Sequence, residues 1–263
     1  MFTSHKLPFS FDARLLKQDL ALIAPSDWVT HFNREYFAGE WTGVAFRSAG
    51  GSAQKLYPDP RAIEPIADTP LLDLCPNVRK VIASFRCPLR CVRFLKLTPG
   101  SSIREHRDYD LGYEEGQVRL HIPVSTNPDV VFFLDGYQIE MKEGECWYLD
   151  LSFPHWVENR GSTDRVHLVI DCDLNEWLRR LIPAPQEAQT EAVVSNPAEL
   201  RRFQDAVLGD LNLQDRLRQT SDRESFMRLV VRTGREHGYR FAPADVEDAL
   251  RAAQRAWFER WIN

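Results

Sequence analysis

The sequence predicts an α+β protein whose core is a sandwich or jelly roll of antiparallel strands. Three observations favour this fold class: helical spacing of apolar residues near the N-terminus, short β-type runs in the middle of the chain, and well-capped helical segments at its end. Many short strands with no long helices between them fit an antiparallel sandwich or jelly roll better than an α/β sheet. We therefore expect a β-rich core between N-terminal helices and a small all-α domain.

The N-terminal part is predicted to be helical over residues 11–23, because its apolar residues recur at helical spacing. Those residues are Leu15, Leu16, Leu20 and Ile23. Ser26 is placed to cap a second short helix that would carry Trp28, Val29 and Phe32. Residues 40–80 are rich in Gly, Pro and Asp and have weak periodicity, so they are predicted to form loops and short strands.

Six β-type runs follow, and turn residues bound each of them. They cover residues 90–97, 118–124, 130–134, 137–141, 145–151 and 165–171. Asp135 and Gly136 lie between the third and the fourth run, and both residue types tolerate the positive φ angles of a two-residue type I′ turn. This dipeptide therefore predicts a hairpin.

The last third of the chain is predicted to form a separate helical domain. Residues 175–182 return to helical spacing, whereas residues 183–195 have no periodicity. We therefore predict a first domain over residues 1–182, a linker over residues 183–195 and an all-helical domain over residues 196–263.

Two helix starts are marked in this C-terminal domain. Asn196 has the residue type of an N-cap, Pro197 suits the first helical position, and Glu199 completes the pattern. Ser221 and Glu224 repeat the spacing of a capping box. A last helix carries an apolar stripe that we expect to be packed. The stripe comprises Val246, Leu250, Ala253, Trp257 and Trp261.

Composition and charge exclude several classes of protein. The net charge is -5 and the isoelectric point is about 5.8, which argues against nucleic acid as a partner, because that binding neutralises many phosphates with Lys and Arg. The chain has neither an apolar stretch long enough to span a membrane nor an N-terminal stretch typical of a signal peptide, so we predict a soluble, cytoplasmic protein without a membrane partner. The five cysteines lack paired CxxC spacing and are predicted to be buried free thiols.

A candidate metal site begins at His106 and Asp108. One residue separates them, so in extended backbone both side chains point to the same side, as two ligands of one ion must. His155, further along the chain, offers a third ligand. Two imidazoles and one carboxylate on one side of a metal leave the other side open, which is the arrangement of non-haem Fe(II) oxygenases.

Two predicted strands each present an Arg-x-His pair on one face. Arg165 and His167 lie opposite the apolar residues of the last run, and Arg119 and His121 lie opposite those of the second run. A guanidinium near an open metal site binds a carboxylate in a bidentate manner better than an ammonium does. We infer that the ligand is a small dicarboxylate.

Three motifs give this chain a resemblance to a known family. They are LTPGSSIREHRD, RLHIPVSTNP and MKEGECWYLDLSFPHWVENRGSTDRVHLVID. The sequence resembles, roughly from Trp28 to Trp177, the aspartyl/asparaginyl β-hydroxylase family of iron(II)/2-oxoglutarate-dependent dioxygenases, which includes bacterial amino-acid hydroxylases. This resemblance implies a double-stranded β-helix, which is a cupin-like jelly roll.

The resemblance also implies roles for the candidate residues. Arg165 would bind the distal carboxylate of 2-oxoglutarate, and His121 would help to hold this cosubstrate. Arg119 is placed near the substrate or the cosubstrate. The implied iron ligands, which are also the implied catalytic residues, are His106, Asp108 and His155.

The activity implied by the resemblance is hydroxylation of an amino acid, free or as an Asp, Asn or Pro-type residue in a peptide. Fe(II) is the implied metal, 2-oxoglutarate and O2 are consumed, and succinate and CO2 are the co-products. A second interpretation stays open, in which the chain is a non-catalytic, cupin-like protein that binds metal and 2-oxoglutarate and uses its helical domain to dock a partner.

The C-terminal domain resembles a different family, the Nif11-like domain. The resemblance covers residues 203–250. It rests on Phe203, Leu217, Asp222, Phe226, Gly238, Phe241 and Leu250. We interpret this domain as a packing or docking module for a peptide or protein partner.

Overall fold

The structure is a computed structural model that describes residues 3–57, 63–108, 111–113, 115–182, 195–217 and 223–262. The chain divides into two units, Met1–Gln186 and Glu187–Asn263. The boundary between them falls within the predicted linker, of which residues 183–194 lie outside the described residues.

The first unit consists mainly of strands. They are β1 (Ser4–Ser10), β2 (Val29–Thr30), β3 (Phe37–Ala38), β4 (Trp41–Ala49), β5 (Ile66–Asp68), β6 (Leu89–Leu97), β7 (Ser102–His106), β8 (Gln117–Ser125), β9 (Val130–Leu134), β10 (Tyr137–Gln138), β11 (Glu145–Leu149), β12 (His155–Asn159) and β13 (Arg165–Asp173). Its helices are α1 (Ala13–Leu20), α2 (Leu71–Leu74), α3 (Pro76–Ala83) and α4 (Glu176–Arg179), with 3-10 turns at Pro25–Asp27 and Arg34–Tyr36.

The strands form two antiparallel sheets. The larger sheet has the order β1-β11-β8-β13-β6-β4-β2, with β5 also paired to β4, and the smaller sheet has the order β10-β9-β12-β7-β3. Leu97 and Val169 of the larger sheet pack against Phe132, Leu134 and Val157 of the smaller sheet. The helices of this unit cover the opposite face of the larger sheet through a second apolar cluster. This double-stranded β-helix with added helices confirms the predicted fold class.

Burial on both faces of the larger sheet explains the alternation of its side chains. On β13, Val166, Leu168 and Ile170 belong to the cluster on the helix side. Because successive side chains of a strand point to opposite faces, Arg165 and His167 point toward the smaller sheet. The inner face of the larger sheet therefore carries buried ionisable side chains, and they form the candidate site.

The predicted strands of the middle region correspond to strands in the structure. The run predicted over residues 130–134 is β9, and four others correspond to β6, β8, β11 and β13 with small differences at their ends. The run predicted over residues 137–141 is a strand only at Tyr137–Gln138, which is β10. The predicted hairpin turn is confirmed by positive φ angles of 54° at Asp135 and 77° at Gly136.

The structure also contains strands that the sequence pattern does not predict, namely β1, β3, β7 and β12. The prediction of only loops and short strands over residues 40–80 is wrong for the long strand β4, for α2 and for the start of α3. β4 is buried along nearly its whole length and so lacks alternation, while β7 and β12 are short and carry polar residues on both faces. The prediction of a second short helix after Ser26 is wrong. Residues 25–27 form a single 3-10 turn, and Val29–Thr30 is β2, whose backbone pairs with β4 instead.

The second unit contains the helices α5 (Pro197–Gly209), α6 (Leu211–Leu217), α7 (Arg223–Glu236) and α8 (Pro243–Ile262). Asn196 caps α5 as predicted, because its side chain accepts a hydrogen bond from the amide of Glu199 at 3.2 Å. Phe203 and Phe241 are central to the apolar core of the unit. Ser221, predicted to start a further helix, lies outside the described residues.

The last helix is packed along only part of its length. Val246 and Leu250 contact the core of the unit, but Trp257 is 52% exposed. The prediction that the whole stripe is packed is therefore wrong for Ala253 and Trp257, which are both exposed, and the side chain of Trp261 lies outside the described residues. The reason is length, since the 20 residues of α8 span about 30 Å and outreach its shorter partners α5 and α7.

Two further expectations concern the cysteines and the membrane. All five cysteines are free and buried, as predicted. Across the described ranges, no helix combines the length and the apolar character needed to cross a lipid bilayer.

Candidate metal centre

Two neighbouring strands of the smaller sheet bring the candidate ligands together. His106 ends β7, His155 begins β12, and the two residues are paired directly across the sheet with ring centroids 4.2 Å apart. Asp108 follows β7, and its amide donates to the carbonyl of Leu151 at 2.9 Å. One ligand atom from each of the three side chains lies within 4.8 Å of the other two.

Backbone carbonyls orient both imidazoles. Nδ1 of His106 is 2.8 Å from the carbonyl oxygen of Arg104, and Nδ1 of His155 is 3.0 Å from that of Phe153. Since a carbonyl only accepts, each Nδ1 carries the proton of a neutral ring and each Nε2 keeps a lone pair for a metal. Burial first, and then the neighbouring imidazole of His106, lowers the pKa of His155 to about 4, so the His155 ring is neutral at pH 7.

A chain of buried ion pairs holds the third candidate ligand. Nη1 of Arg119 donates to Oδ2 of Asp108. Nε and Nη2 of Arg119 donate to the two carboxylate oxygens of Asp171, at 2.6 and 3.1 Å, and Arg93 donates to Asp171 at 2.8 Å. Burial by itself would raise the pKa of Asp108, but Arg119 and other neighbouring charges bring this pKa below its usual value. Asp108 is thus ionised and fixed in orientation.

Arg165 is a buried cation with no carboxylate paired to it among the described residues. Arg165 is 2% exposed, and its Nε has no hydrogen-bond partner among the described residues. Its Nη2 donates to Nδ1 of His167 at 3.0 Å. Burial lowers the pKa of Arg165 to about 9, which still leaves the guanidinium charged at pH 7. A buried unpaired charge is costly, so this position favours an anionic ligand.

Two neutral imidazoles lie beside this guanidinium. Nδ1 of His167 accepts from Arg165 and lies 3.3 Å from Nδ1 of His121. Burial, and after it the charge of Arg165, lowers the pKa of both imidazoles well below the usual value. Nε2 of His121 is buried without a hydrogen-bond partner in the described structure.

A cavity of about 520 Å³ opens onto Arg165 and His167. Its apolar wall comprises Val130, Phe132, Ile139 and Met141. The Phe132 ring lies 5.9 Å from the guanidinium carbon of Arg165 and 6.4 Å from the His155 ring. One aromatic ring therefore borders both the cavity and the candidate metal ligands.

The residues singled out from the sequence thus occupy one buried surface, and the structure adds two more, Arg93 and Asp171. Strand alternation offers a signal for Asp171, because it lies an even number of residues after Arg165 on β13 and so faces the same way. Arg93 lies an even number of residues before Leu95 and Leu97 on β6, and it therefore faces inward as these two residues do. Neither residue stands out without knowledge of which face is inner.

The match to a family model covers this whole surface. The model, described as aspartyl/asparaginyl beta-hydroxylase, matches residues 15–174, which is more than half of the chain. The chain belongs to the aspartyl/asparaginyl β-hydroxylase family. The part that matches the hydroxylase family includes the three candidate ligands and Arg165, whereas the second unit lies outside it. The Nif11-like character of that unit stays a prediction.

The chain is also similar to two proteins named as L-proline hydroxylases and to one solved structure. L-proline cis-4-hydroxylase of Rhizobium meliloti (strain 1021) is 27% identical over 164 residues, which are 61% of this chain and 57% of that protein. L-proline cis-3-hydroxylase 1 of Streptomyces sp. is 27% identical over 167 residues, which are 61% of this chain and 56% of that protein. The chain thus spans a little over half the length of these relatives. An oxidoreductase of the 2OG-Fe(II) oxygenase family from Burkholderia pseudomallei aligns with a TM-score of 0.43 and 12% identity, over 66% of this chain and 86% of that chain.

Proposed function

We propose that this chain is an Fe(II)- and 2-oxoglutarate-dependent dioxygenase that hydroxylates an amino acid, free or as an Asp, Asn or Pro-type residue in a peptide. The observation that carries the proposal is the convergence of ligand atoms from His106, Asp108 and His155 within 4.8 Å. Similar proteins named as L-proline hydroxylases support an amino acid as the substrate.

The donor set fits Fe(II). Two imidazole nitrogens and one carboxylate oxygen on one side of a metal form the facial set that such oxygenases use. The carbonyls that hold Nδ1 of His106 and His155 leave both Nε2 atoms free to ligate. Arg119 keeps Asp108 ionised, which a carboxylate ligand requires.

The cavity beyond the ligands fits 2-oxoglutarate. Arg165, buried and without a carboxylate partner among the described residues, would bind the distal carboxylate of this dianion. His167 fixes one side of the guanidinium through the 3.0 Å hydrogen bond, so its remaining N–H groups face the ligand. His121, with an unpartnered Nε2, is a further contact for the cosubstrate.

When bound, iron and 2-oxoglutarate would serve to activate O2, with one oxygen atom passing into the substrate C–H bond to give an alcohol and the other into 2-oxoglutarate to give succinate and CO2. The residues of the chain bind, orient and exclude water. The apolar wall around Phe132 keeps the site dry, which strengthens the ionic contacts of Arg165. Arg119 and Asp171 hold the Asp108 carboxylate still.

We also propose that residues 1–182 form the dioxygenase domain and residues 196–263 a docking domain for a peptide or protein partner. The side chains of Trp257 and Phe258 are about half exposed at the end of α8, and large exposed aromatic residues are typical of interaction surfaces. The Nif11-like pattern of this domain supports the same role.

The proposed activity is tested by consumption of 2-oxoglutarate and formation of succinate with Fe(II), O2 and a panel of free amino acids and short peptides. We expect His106→Ala and Asp108→Ala each to reduce turnover by about a hundredfold or more, since removing a ligand weakens the metal site. A product heavier by one oxygen atom identifies the substrate.

The control is His5→Ala, which removes a histidine from β1, outside the candidate site. Wild-type turnover in both ligand variants would contradict the metal assignment. Tight binding of 2-oxoglutarate without its consumption, for every compound of the panel, would support the non-catalytic interpretation instead.

A further inference from the structure

A second group of buried hydrogen-bond donors lies apart from the Arg165 cavity. Its centre is Arg93 on β6, which is 0% exposed and donates through Nη1 to Asp171 at 2.8 Å. Nε and Nη2 of Arg93 have no hydrogen-bond partner among the described residues. Arg93 is paired with Val169 of β13, and Val169 lies four residues along that strand from Arg165. The Cα atoms of the two arginines are therefore about 13 Å apart along the strand direction.

The Tyr57 ring lies against Arg93, and two further aromatic side chains pack next to Tyr57 or beyond it. The Tyr57 ring centre lies 4.9 Å from the guanidinium carbon, and the Tyr57 hydroxyl is buried without a partner in the described structure. The His31 ring packs 5.0 Å from Tyr57 and stacks on Trp41 at 3.6 Å. Nε1 of Trp41 likewise has no partner there. The face of the Tyr57 ring attracts the positive charge of Arg93, but it has no lone pair to accept a hydrogen bond from the guanidinium N–H groups.

All the polar groups of this cluster offer a hydrogen. Guanidinium and indole N–H groups are donors only, and a phenol hydroxyl donates when its own proton is free. Nδ1 of His31 accepts from the amide of Asn33 at 3.2 Å, so the neutral ring carries its proton on Nε2. A cluster in which every polar group can donate is completed by a ligand that only accepts, and a carboxylate is such a ligand.

The cluster lies beside the candidate metal ligands. The Tyr57 ring centre is 5.8 Å from the guanidinium carbon of Arg119, which itself binds Asp108. On the same side, the ring of Tyr36 lies 5.1 Å from that of His106. A small molecule anchored at Arg93 therefore has its other atoms within reach of the metal.

We infer that Arg93, Tyr57, Trp41 and His31 bind the α-carboxylate of the substrate, and that the substrate is a free amino acid and not an internal residue of a peptide. This inference rests on the proposed function. The Tyr57 ring covers Arg93, so it turns aside to admit the carboxylate, and its hydroxyl then donates to the same group. An internal peptide residue offers a neutral amide at this point, so the buried Nε and Nη2 of Arg93 would have no charged acceptor.

The first test uses the wild-type protein and needs no mutation. The free amino acid that best stimulates 2-oxoglutarate consumption is compared with its carboxamide and with a tripeptide that contains the same residue internally. We expect kcat/KM for both neutral forms to be lower by about a hundredfold or more, because each leaves the buried Nε and Nη2 donors of Arg93 without a charged acceptor. Equal kcat/KM for the acid and for either neutral form overturns the inference while leaving the proposed dioxygenase activity intact. Absence of 2-oxoglutarate consumption with every compound removes both.

The second test uses variants of the subsite. Arg93→Lys keeps a positive charge beside Asp171 but lacks the guanidinium fork, and Tyr57→Phe removes only a hydroxyl. We expect each to raise KM for the free amino acid by about tenfold or more, with KM for 2-oxoglutarate unchanged. Arg90→Lys is the matched control, since Arg90 lies on the same strand but pairs with Asp173 at 2.8 Å outside the cluster. An unchanged KM for the amino acid in both subsite variants overturns the inference.

Discussion

At the scale of single residues, buried charges decide which side chains are available for ligands. The guanidinium of Arg119 is fully engaged by Asp108 and Asp171. Arg165 and Arg93, by contrast, each keep buried N–H groups without partners among the described residues. Such groups are stable only when something accepts from them, so they mark where anions bind. Residue type identifies a cation, but its partners decide its role.

The buried imidazoles predict how stability depends on pH. The pKa of His167 in the folded protein is lowered well below 6.5, first by burial and then by Arg165. Below pH 6.5 the unfolded chain takes up a proton at this residue and the folded chain does not, so the free energy of unfolding falls as the pH falls. We expect His167→Asn, measured without metal between pH 6 and pH 4, to reduce this slope by about 1 kcal/mol per pH unit.

Asparagine is chosen because its side-chain oxygen can still accept from Arg165. Gln18→Asn is the control, because Gln18 is exposed on α1 and carries no ionisable group, and it is expected to keep the wild-type slope. Chemical denaturation at a series of pH values measures both. A slope in His167→Asn as steep as that of the wild type would show that this imidazole is protonated in the folded state.

At the scale of elements, antiparallel pairing creates the metal site. His106 and His155 meet because β7 and β12 are neighbours with these two residues in register. β12 is held on its other side by β9, where His155 is paired with Leu134. β9 also carries Phe132, which borders the cavity, and it turns into β10 through Asp135 and Gly136. The hairpin turn thus supports a strand that contacts both halves of the site.

This turn is open to a direct test. Gly136 has a φ of 77°, which a β-branched residue adopts only with strain, so we expect Gly136→Val to lower the free energy of unfolding by about 1–2 kcal/mol. Gly136→Asn is the matched control, because Asn tolerates positive φ, and it is expected to cost clearly less. Thermal or urea unfolding measures both variants. Equal stabilities of the two variants would contradict a turn that requires positive φ.

At the scale of the whole molecule, the site and the second unit belong to different parts of the chain. The family match and the candidate site lie within residues 15–174, whereas the helical unit has a core of its own around Phe203 and Phe241. A unit with its own core is able to fold separately. The two units are therefore expected to divide chemistry from partner binding.

Deletion of residues 196–263 tests this division. We expect the shortened chain to keep at least half of the wild-type consumption of 2-oxoglutarate with a free amino acid, because every candidate site residue remains. We also expect it to lose the protein or peptide partner that binds the full-length chain in a binding assay. Loss of turnover in a chain that still unfolds cooperatively would contradict separate domains, and unchanged partner binding would contradict the docking role.

The sequence by itself determined the periodic elements and the chemistry that local spacing reveals. Alternation indicated β8 and β13, the dipeptide Asp135 and Gly136 indicated the hairpin, and the spacing of His106 and Asp108 indicated a pair of ligands. These features depend on neighbours in the chain, and so a sequence pattern carries them.

Only the tertiary structure decided which residues meet across the sheets. β7 and β12 have no clear alternation, and they are strands because neighbouring strands satisfy their backbone hydrogen bonds. The difference between the arginines likewise depends on contacts between distant segments. Two carboxylates bind Arg119, whereas Arg93 and Arg165 keep N–H groups without a partner among the described residues. The strand character of β7 and β12 and the contacts of the arginines both follow from tertiary packing, which brings together residues far apart in the chain. Local propensity does not encode such packing.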